Sequence, residues 1–145
     1  MTTTLFHCLS FADADAGIAF LKAIGFAEVA VFRNADDPSV VEHAQFRWGE
    51  RGAVMFGSAR RDAGGDSSDA GTGSQSGFER RVGAAACYCV VDTDDEVDAV
   101  YERAIAAGAT GVQRPGSPAY GGRECLVRDA EGNQWSFGSY PGELA

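Results

Sequence analysis

Lysine is nearly absent from this sequence. Of twelve basic residues only Lys22 is lysine, and none of the twelve are grouped on any face that the residue pattern predicts. Against 21 acidic residues the formal charge is −9, which argues against a nucleic-acid or anionic-membrane partner, because phosphate contacts need clustered cations. No stretch approaches the roughly 20 apolar residues of a membrane helix. The start, MTTTLFHCLSFADADAG, lacks a basic n-region and a long apolar run, so a secretory signal is not expected and a cytoplasmic protein is. The four cysteines, Cys8, Cys87, Cys89 and Cys125, form no C-x-x-C pair. All lie in apolar, strand-like stretches, where reduced cysteine is expected to act as a small buried hydrophobe. There is no G-x-S-x-G elbow, H-E-x-x-H helix, Walker loop or Rossmann glycine pattern, and Gly121-Gly122 precedes a strand, the wrong context for phosphate binding. Asp129 and Glu131 sit in a turn and are expected to be solvated there.

What is present is a repeated order of elements. In the first half, Leu5 to Phe11 reads as a strand in which Leu5, His7, Leu9 and Phe11 share one face and Phe6, Cys8 and Ser10 the other. Asp13 fits a helix N-cap, Ala14, Ile18, Leu21 and Ile24 fall on one helical face, and Gly25 is placed to end the helix. Strands follow at 26–33, 41–48 and 53–58, the last two joined by the turn Gly49-Glu50-Arg51-Gly52. Residues 59–82 carry Gly, Ser and Asp in place of apolar periodicity and read as a flexible linker, its middle at 62–77 expected to be mobile. The order then returns: a strand at 84–91, the capping box Thr93-Asp94-Asp95-Glu96, and a helix presenting Val97, Val100, Tyr101, Ala104 and Ile105 and stopping at Gly108. A short strand at 111–114 follows, then a hairpin of strands 123–128 and 133–139 around Asp129-Ala130-Glu131-Gly132. Gly25 corresponds to Gly108 and Gly52 to Gly132, the interval from the first glycine to the second being 27 residues in the first half and 24 in the second. The expected architecture is α+β, a βαβββ module used twice, at 1–58 and 83–145, in one domain.

The closing hairpin, V-R-D-x-x-G-N-x-W-x-F-G-x-Y, resembles that of the glyoxalase/bleomycin-resistance/extradiol-dioxygenase (vicinal oxygen chelate) superfamily. D-A-x-A-x-x-A-F-L-x-x-x-G-F near Asp13 to Phe26 and A-x-x-A-G-A in the second half are similar to it as well. The resemblance implies two tandem modules whose curved mixed sheets surround a shared cavity, completed by paired modules or protomers, and therefore a homodimer.

Metal enzymes of that superfamily place a His, Gln or Glu on the first and fourth strand of each module, holding a divalent ion with positions open to two substrate oxygens. Counting four residues past each turn glycine gives Ser136 and Phe56. Counting back from the helix starts gives Phe6 and Ala86. None is a credible ligand, so no metal and no cofactor is expected. His7, one register step away, is the competing candidate, but a shift of all four positions yields His7, Gly57, Cys87 and Phe137, at most two ligands. His43 reads as a surface or pocket-rim residue.

Alternation from Ser136 places Gln134, Ser136 and Gly138 toward the cavity, with Phe6, Cys8, Val54, Phe56, Ala86 and Tyr88 from the equivalent strands. Such an apolar, aromatic-walled concavity with a few polar groups suits a small molecule. Tyr120-Gly-Gly-Arg123 resembles the Y-G-x-R of relatives, where Arg123 either pairs with a ligand carboxylate or stacks on a ring; the other reading is a surface salt bridge, with Glu124 or a neighbouring strand. Trp48 and Trp135 read as core. Three functions stand: a metal-independent protein binding a small, partly aromatic or amphiphilic molecule, as the bleomycin-resistance branch does; a metal-dependent lyase, isomerase or dioxygenase; and a metal-free enzyme using Arg123, Tyr88 or Tyr120.

Overall fold

The computed structural model describes residues 5–59, 85–119 and 121–143. The chain divides into two compact units, Met1–Thr72 and Gly73–Ala145. The stretch 62–77, expected to be mobile, lies outside the described residues, as does Tyr120.

The first unit runs β1 (Phe6–Phe11), α1 (Ala14–Ile24), β2 (Ala27–Arg33), β3 (Val41–Trp48) and β4 (Gly52–Ser58). Its sheet has the order β1-β4-β3-β2, with β1 parallel to β4 and the remaining pairs antiparallel. α1 begins where the Asp13 carboxylate accepts the Ala16 N–H at 3.0 Å, satisfying a donor that the first turn leaves free. It ends at Gly25, whose φ of 120° suits a residue without Cβ, while the Phe26 N–H reaches back to the Leu21 carbonyl at 2.9 Å. Ala14, Ile18, Leu21 and Ile24 are buried along its inner face, as their spacing predicts. Beneath the helix, Phe11 meets Phe56 edge-on at 5.2 Å, and Phe46 stacks on Phe56 at 5.6 Å. Gly17 lets the helix settle on this cluster: a Cβ there would come within 2.6 Å of the Phe11 ring.

The second unit repeats the plan with β5 (Cys87–Val90), α2 (Asp94–Ala106), β6 (Thr110–Gly116), β7 (Glu124–Arg128) and β8 (Gln134–Gly138), in the sheet order β5-β8-β7-β6. Again the outer pair, β5 with β8, is parallel and the rest antiparallel. The chain is α+β, built of two tandem βαβββ modules. The capping box forms with a shift: Thr93 Oγ accepts the Glu96 N–H at 3.2 Å, but the Glu96 carboxylate accepts from the Asp92 N–H, one residue before the cap, at 3.0 Å. Val97, Val100 and Ala104 are fully buried, whereas Ile105 is 40% exposed. It lies at the edge of the apolar stripe with Tyr101, and both lean over Gly111, where a Cβ would stand 3.5 Å from Ile105 Cδ1.

Asp129 corrects a simpler expectation. It is 6% exposed, not solvated. One carboxylate oxygen accepts the Glu131 and Asn133 N–H groups, each at 3.0 Å. The other accepts Asn133 Nδ2 at 3.0 Å and Trp135 Nε1 at 3.1 Å. The D-x-x-G-N-x-W pattern is thus a buried anion with four donors, tying the β7–β8 turn to the fully buried Trp135. Gly132, at φ 88°, makes the reversal sterically accessible.

Candidate functional site

In each unit the helix covers one face of the sheet, and strand register decides which side chains lie on the other. In the second unit Tyr88 pairs with Ser136 and Val90 with Gly138, while Leu126 pairs with Ser136 and Glu124 with Gly138. These residues occupy the face opposite α2. Cys89, Cys125, Trp135 and Phe137 occupy the α2 side and are buried; the Cys125 thiol points at the Val97 carbonyl on the helix.

A pocket of about 350 Å³ opens at Tyr88 and Val90, with Tyr140, Pro141 and Gly142 completing its wall. Tyr88 is 40% and Val90 41% exposed, large apolar surfaces left uncovered by their own unit. The Tyr88 ring lies across Gly138, where an added Cβ would stand 2.8 Å from the ring, so glycine at 138 is what permits the pose. Its hydroxyl donates to the Tyr140 carbonyl at 2.7 Å, fixing the ring as one wall and the 140–142 segment as another. Burial, followed by the charge of nearby Glu124, pushes the Tyr88 phenol above its ordinary pKa, so the group stays a neutral donor at physiological pH. On the same sheet face Ser136 Oγ donates to Glu124 Oε1 at 3.0 Å, and Gln134 Nε2 donates to the Ala85 carbonyl at 2.9 Å.

Of the residues singled out from sequence, Tyr88, Gln134 and Ser136 therefore share a sheet face, and Tyr88 reaches the pocket. Ala86 is exposed just before β5, a strand shorter than its apolar run suggests. Arg123 points elsewhere. Its Nε and Nη2 donate to Asp98 Oδ1 on α2 at 3.0 and 2.8 Å, so it forms a salt bridge with a helix carboxylate and not with Glu124. Tyr120 lies outside the described residues. Val90, Tyr140, Pro141 and Gly142 were not anticipated as a group. Alternation from Tyr88 points to Val90, but nothing periodic marks the segment after β8.

In the first unit the residue count is off by one. Phe56 pairs with Leu9, and Val54 with His7, so Phe56 and Val54 lie in the core beneath α1 and not on the opposite face. The place of the glycine, not the length of the turn, explains the error. Gln45 pairs with Met55 and Leu126 with Ser136 over equal spans, but Gly52 is already in β4, paired with Trp48, whereas Gly132 lies in the turn, one residue before Asn133, whose carbonyl accepts the Asp129 N–H at 3.0 Å. The counterpart of Ser136 is therefore Met55, which pairs with Cys8. Phe6, Cys8 and Met55 share the face opposite α1, and Cys8 is exposed, unlike the buried thiol expected there. His7 lies on the α1 side, where burial lowers its pKa. His43 is on the other face, its ring 6.2 Å from that of Phe32.

The positions where metal enzymes of the resembled superfamily hold an ion thus carry a benzyl group and a thioether in the first unit, Phe6 and, by the corrected register, Met55, and a methyl and a hydroxyl in the second, Ala86 and Ser136. None is an imidazole or a carboxylate, so this donor set does not fit the divalent ions those enzymes use. Among the described residues no three His, Cys, Asp or Glu side chains converge as a metal-holding group.

Comparison with known proteins agrees with this architecture. The sequence matches the family model of the glyoxalase/bleomycin resistance protein/dioxygenase superfamily over residues 4–137. Among solved structures, the fold is similar to a glyoxylase/bleomycin resistance protein/dioxygenase domain from Frankia sp. EAN1pec, at 16% identity and TM-score 0.66, covering 95% of this chain and 97% of that one. It is also similar to a glyoxalase-related enzyme from Fulvimarina pelagi, at 22% identity and TM-score 0.64, covering 94% and 86%. A third, TioX from Micromonospora sp. ML1, is 25% identical with TM-score 0.60, covering 99% and 98%. No protein of curated function matches the sequence. With the duplicated βαβββ plan, the D-x-x-G-N-x-W hairpin and a family match spanning nearly the whole chain, this protein belongs to the glyoxalase/bleomycin resistance protein/dioxygenase superfamily.

Proposed function

We propose that the protein is a metal-independent member of its superfamily that binds a small, partly aromatic or amphiphilic molecule, and that the pocket walled by Tyr88, Val90, Tyr140, Pro141 and Gly142 is where it binds. The observation that carries this reading is the pocket itself. It has about 350 Å³ of space, the lower end of the range for small-molecule sites, and mostly apolar walls that include two exposed tyrosine and valine side chains. The absence of imidazole and carboxylate at the superfamily's ligand positions supports independence from a metal. The reading includes a homodimer, on the resemblance, and a cytoplasmic setting, since all four cysteines are free thiols, as a reducing compartment keeps them.

Nile red, a neutral aromatic dye whose emission rises in apolar surroundings, tests the proposal. It is expected to bind saturably, with one site per chain, to bind equally well after exhaustive EDTA treatment, and to lose about tenfold or more in affinity in Tyr88→Ala. Undiminished binding in a folded Tyr88→Ala variant, or binding abolished by EDTA and restored by a divalent ion, would overturn it. Light scattering at the mass of a single chain would remove the dimer from the reading.

A further inference from the structure

The α2 side of β5 holds a feature that the pocket does not use. Cys87 and Cys89, alternate residues of one strand, project from the same face, and their sulfurs lie 3.9 Å apart. A d10 ion bonded to two thiolates at about 2.3 Å each spans such a gap at an angle between tetrahedral and trigonal, so neither sulfur has to move far. Cys89 is 3% exposed and anchors the pair. Cys87 is only half-buried and leaves one side of the sulfur pair open to solution. Among the described residues β5 is an edge strand, bonded to β8 alone, and can shift slightly without breaking a second ladder.

The protonation pattern favours the same end. The bond between the two sulfurs, in which either can donate, holds Cys87 below the ordinary thiol pKa, and the same bond together with burial holds Cys89 well above it. The arriving cation displaces the thiol protons as its bonds to sulfur form. Cys125, on the same side of the sheet, is not a third ligand. Its thiol is directed at the Val97 carbonyl, and burial pushes its pKa up to about 12.

We propose that Cys87 and Cys89 form a two-thiolate chelate for a single soft d10 metal ion, its remaining coordination filled by water or a small external thiol. The site lies on the face opposite the pocket and does not depend on the pocket's occupant. Binding forms two metal–sulfur bonds and releases the thiol protons to the buffer, with no change of oxidation state.

The test uses the full-length, reduced, untagged protein and cadmium(II) alone. Titration is expected to give one equivalent with a sulfur-to-cadmium charge-transfer band in the wild type and, unchanged, in Cys8→Ser. Replacing a chelate by a single thiolate is expected to weaken binding roughly a hundredfold or more in Cys87→Ser, because the second sulfur no longer acts at high effective concentration. Unchanged affinity in Cys87→Ser, loss of the band in Cys8→Ser, or no band in the wild type would overturn the proposal. X-ray absorption of the wild-type cadmium complex decides the matter if Cys87→Ser fails to fold. Two sulfurs in the first shell support the chelate, or three if an external thiol is added, whereas one or none without that addition refutes it.

Discussion

The two units share a plan, yet they differ in what holds the last hairpin and in what lies on the helix-free face of the sheet. In the first unit, β3 and β4 are joined by Gly49-Glu50-Arg51, exposed residues, and the core is a cluster of rings around Phe56. In the second, the loop is organised by a buried carboxylate, and the core side of β8 carries Trp135 and Phe137. On the helix-free side, Cys8 is exposed in the first unit, whereas Ser136, Gln134 and Leu126 are buried in the second, which also holds the pocket. The hairpins have equal spans, Gln45 to Met55 matching Leu126 to Ser136, but the turn glycine sits one residue later in the first unit, so equal counts past it fall on opposite faces.

The largest expected effect tests that register directly. Phe56→Ala is expected to destabilise the protein by about 3–5 kcal/mol, as truncating a buried aromatic does, while Ser136→Ala, at the same count past its turn glycine, costs about 1 kcal/mol for one hydrogen bond. Urea denaturation of both variants measures the contrast. Equal losses would mean that the two positions are structurally equivalent after all.

Next in size is the hairpin. Asp129→Ala strands Trp135 Nε1 and the Asn133 and Glu131 donors and is expected to cost about 3 kcal/mol. Glu50→Ala, in the first unit's corresponding loop, should stay within about 0.5 kcal/mol. A similar loss at both would show that the carboxylate does not organise its turn.

These contrasts also show what the residues announced in advance. The duplicated order, both helix N-caps at Asp13 and Thr93, the Gly25 stop and the buried stripe of α1 were legible because capping and 3.6-residue periodicity are local signals. The motif around Asp129 was visible as a pattern, but its burial was not: an Asp in a turn reads as solvated until the partner two residues beyond the loop, Trp135, is known to fold back on it. The face of Phe56 was lost for a related reason. A strand's alternation is readable, but its phase depends on whether the preceding glycine belongs to the turn or to the ladder, which only pairing decides. Arg123 found Asp98, 25 residues away on a helix, a partner that no local spacing indicates.

Gly138→Ala is expected to have a smaller effect on stability, about 1–3 kcal/mol from crowding against the Tyr88 ring, together with weakened Nile red binding as that ring is displaced. At the equivalent strand position in the first unit, Gly57, the nearest atoms an added Cβ would meet are the backbone carbonyls of Glu42 and Val41, the nearer at 3.1 Å. Gly57→Ala should therefore leave dye binding unchanged. Loss of binding there would move the pocket away from Tyr88.

The smallest expected effect is on acid sensitivity. Both histidines belong to the first unit. Burial lowers the His7 pKa below its ordinary 6.5, so the unfolded chain binds a proton more readily than the folded one. The His7 contribution is fully present above pH 6.5 and is lost as pH falls through the lowered value. Hydrogen exchange at about pH 7.5 and 5.5 should show first-unit amides losing protection at the lower pH, a trend reduced in His7→Leu. Earlier loss in the second unit would contradict this.

The helix-free face of the second unit is the part of the molecule assigned to ligand binding, and nuclear magnetic resonance during a Nile red titration maps it residue by residue. Shifts concentrated at Tyr88, Val90, Tyr140 and Gly142, with Cys8 and Met55 unmoved, are the expected result. Shifts centred on Cys8 and Met55, with Tyr88 and Val90 silent, would contradict it.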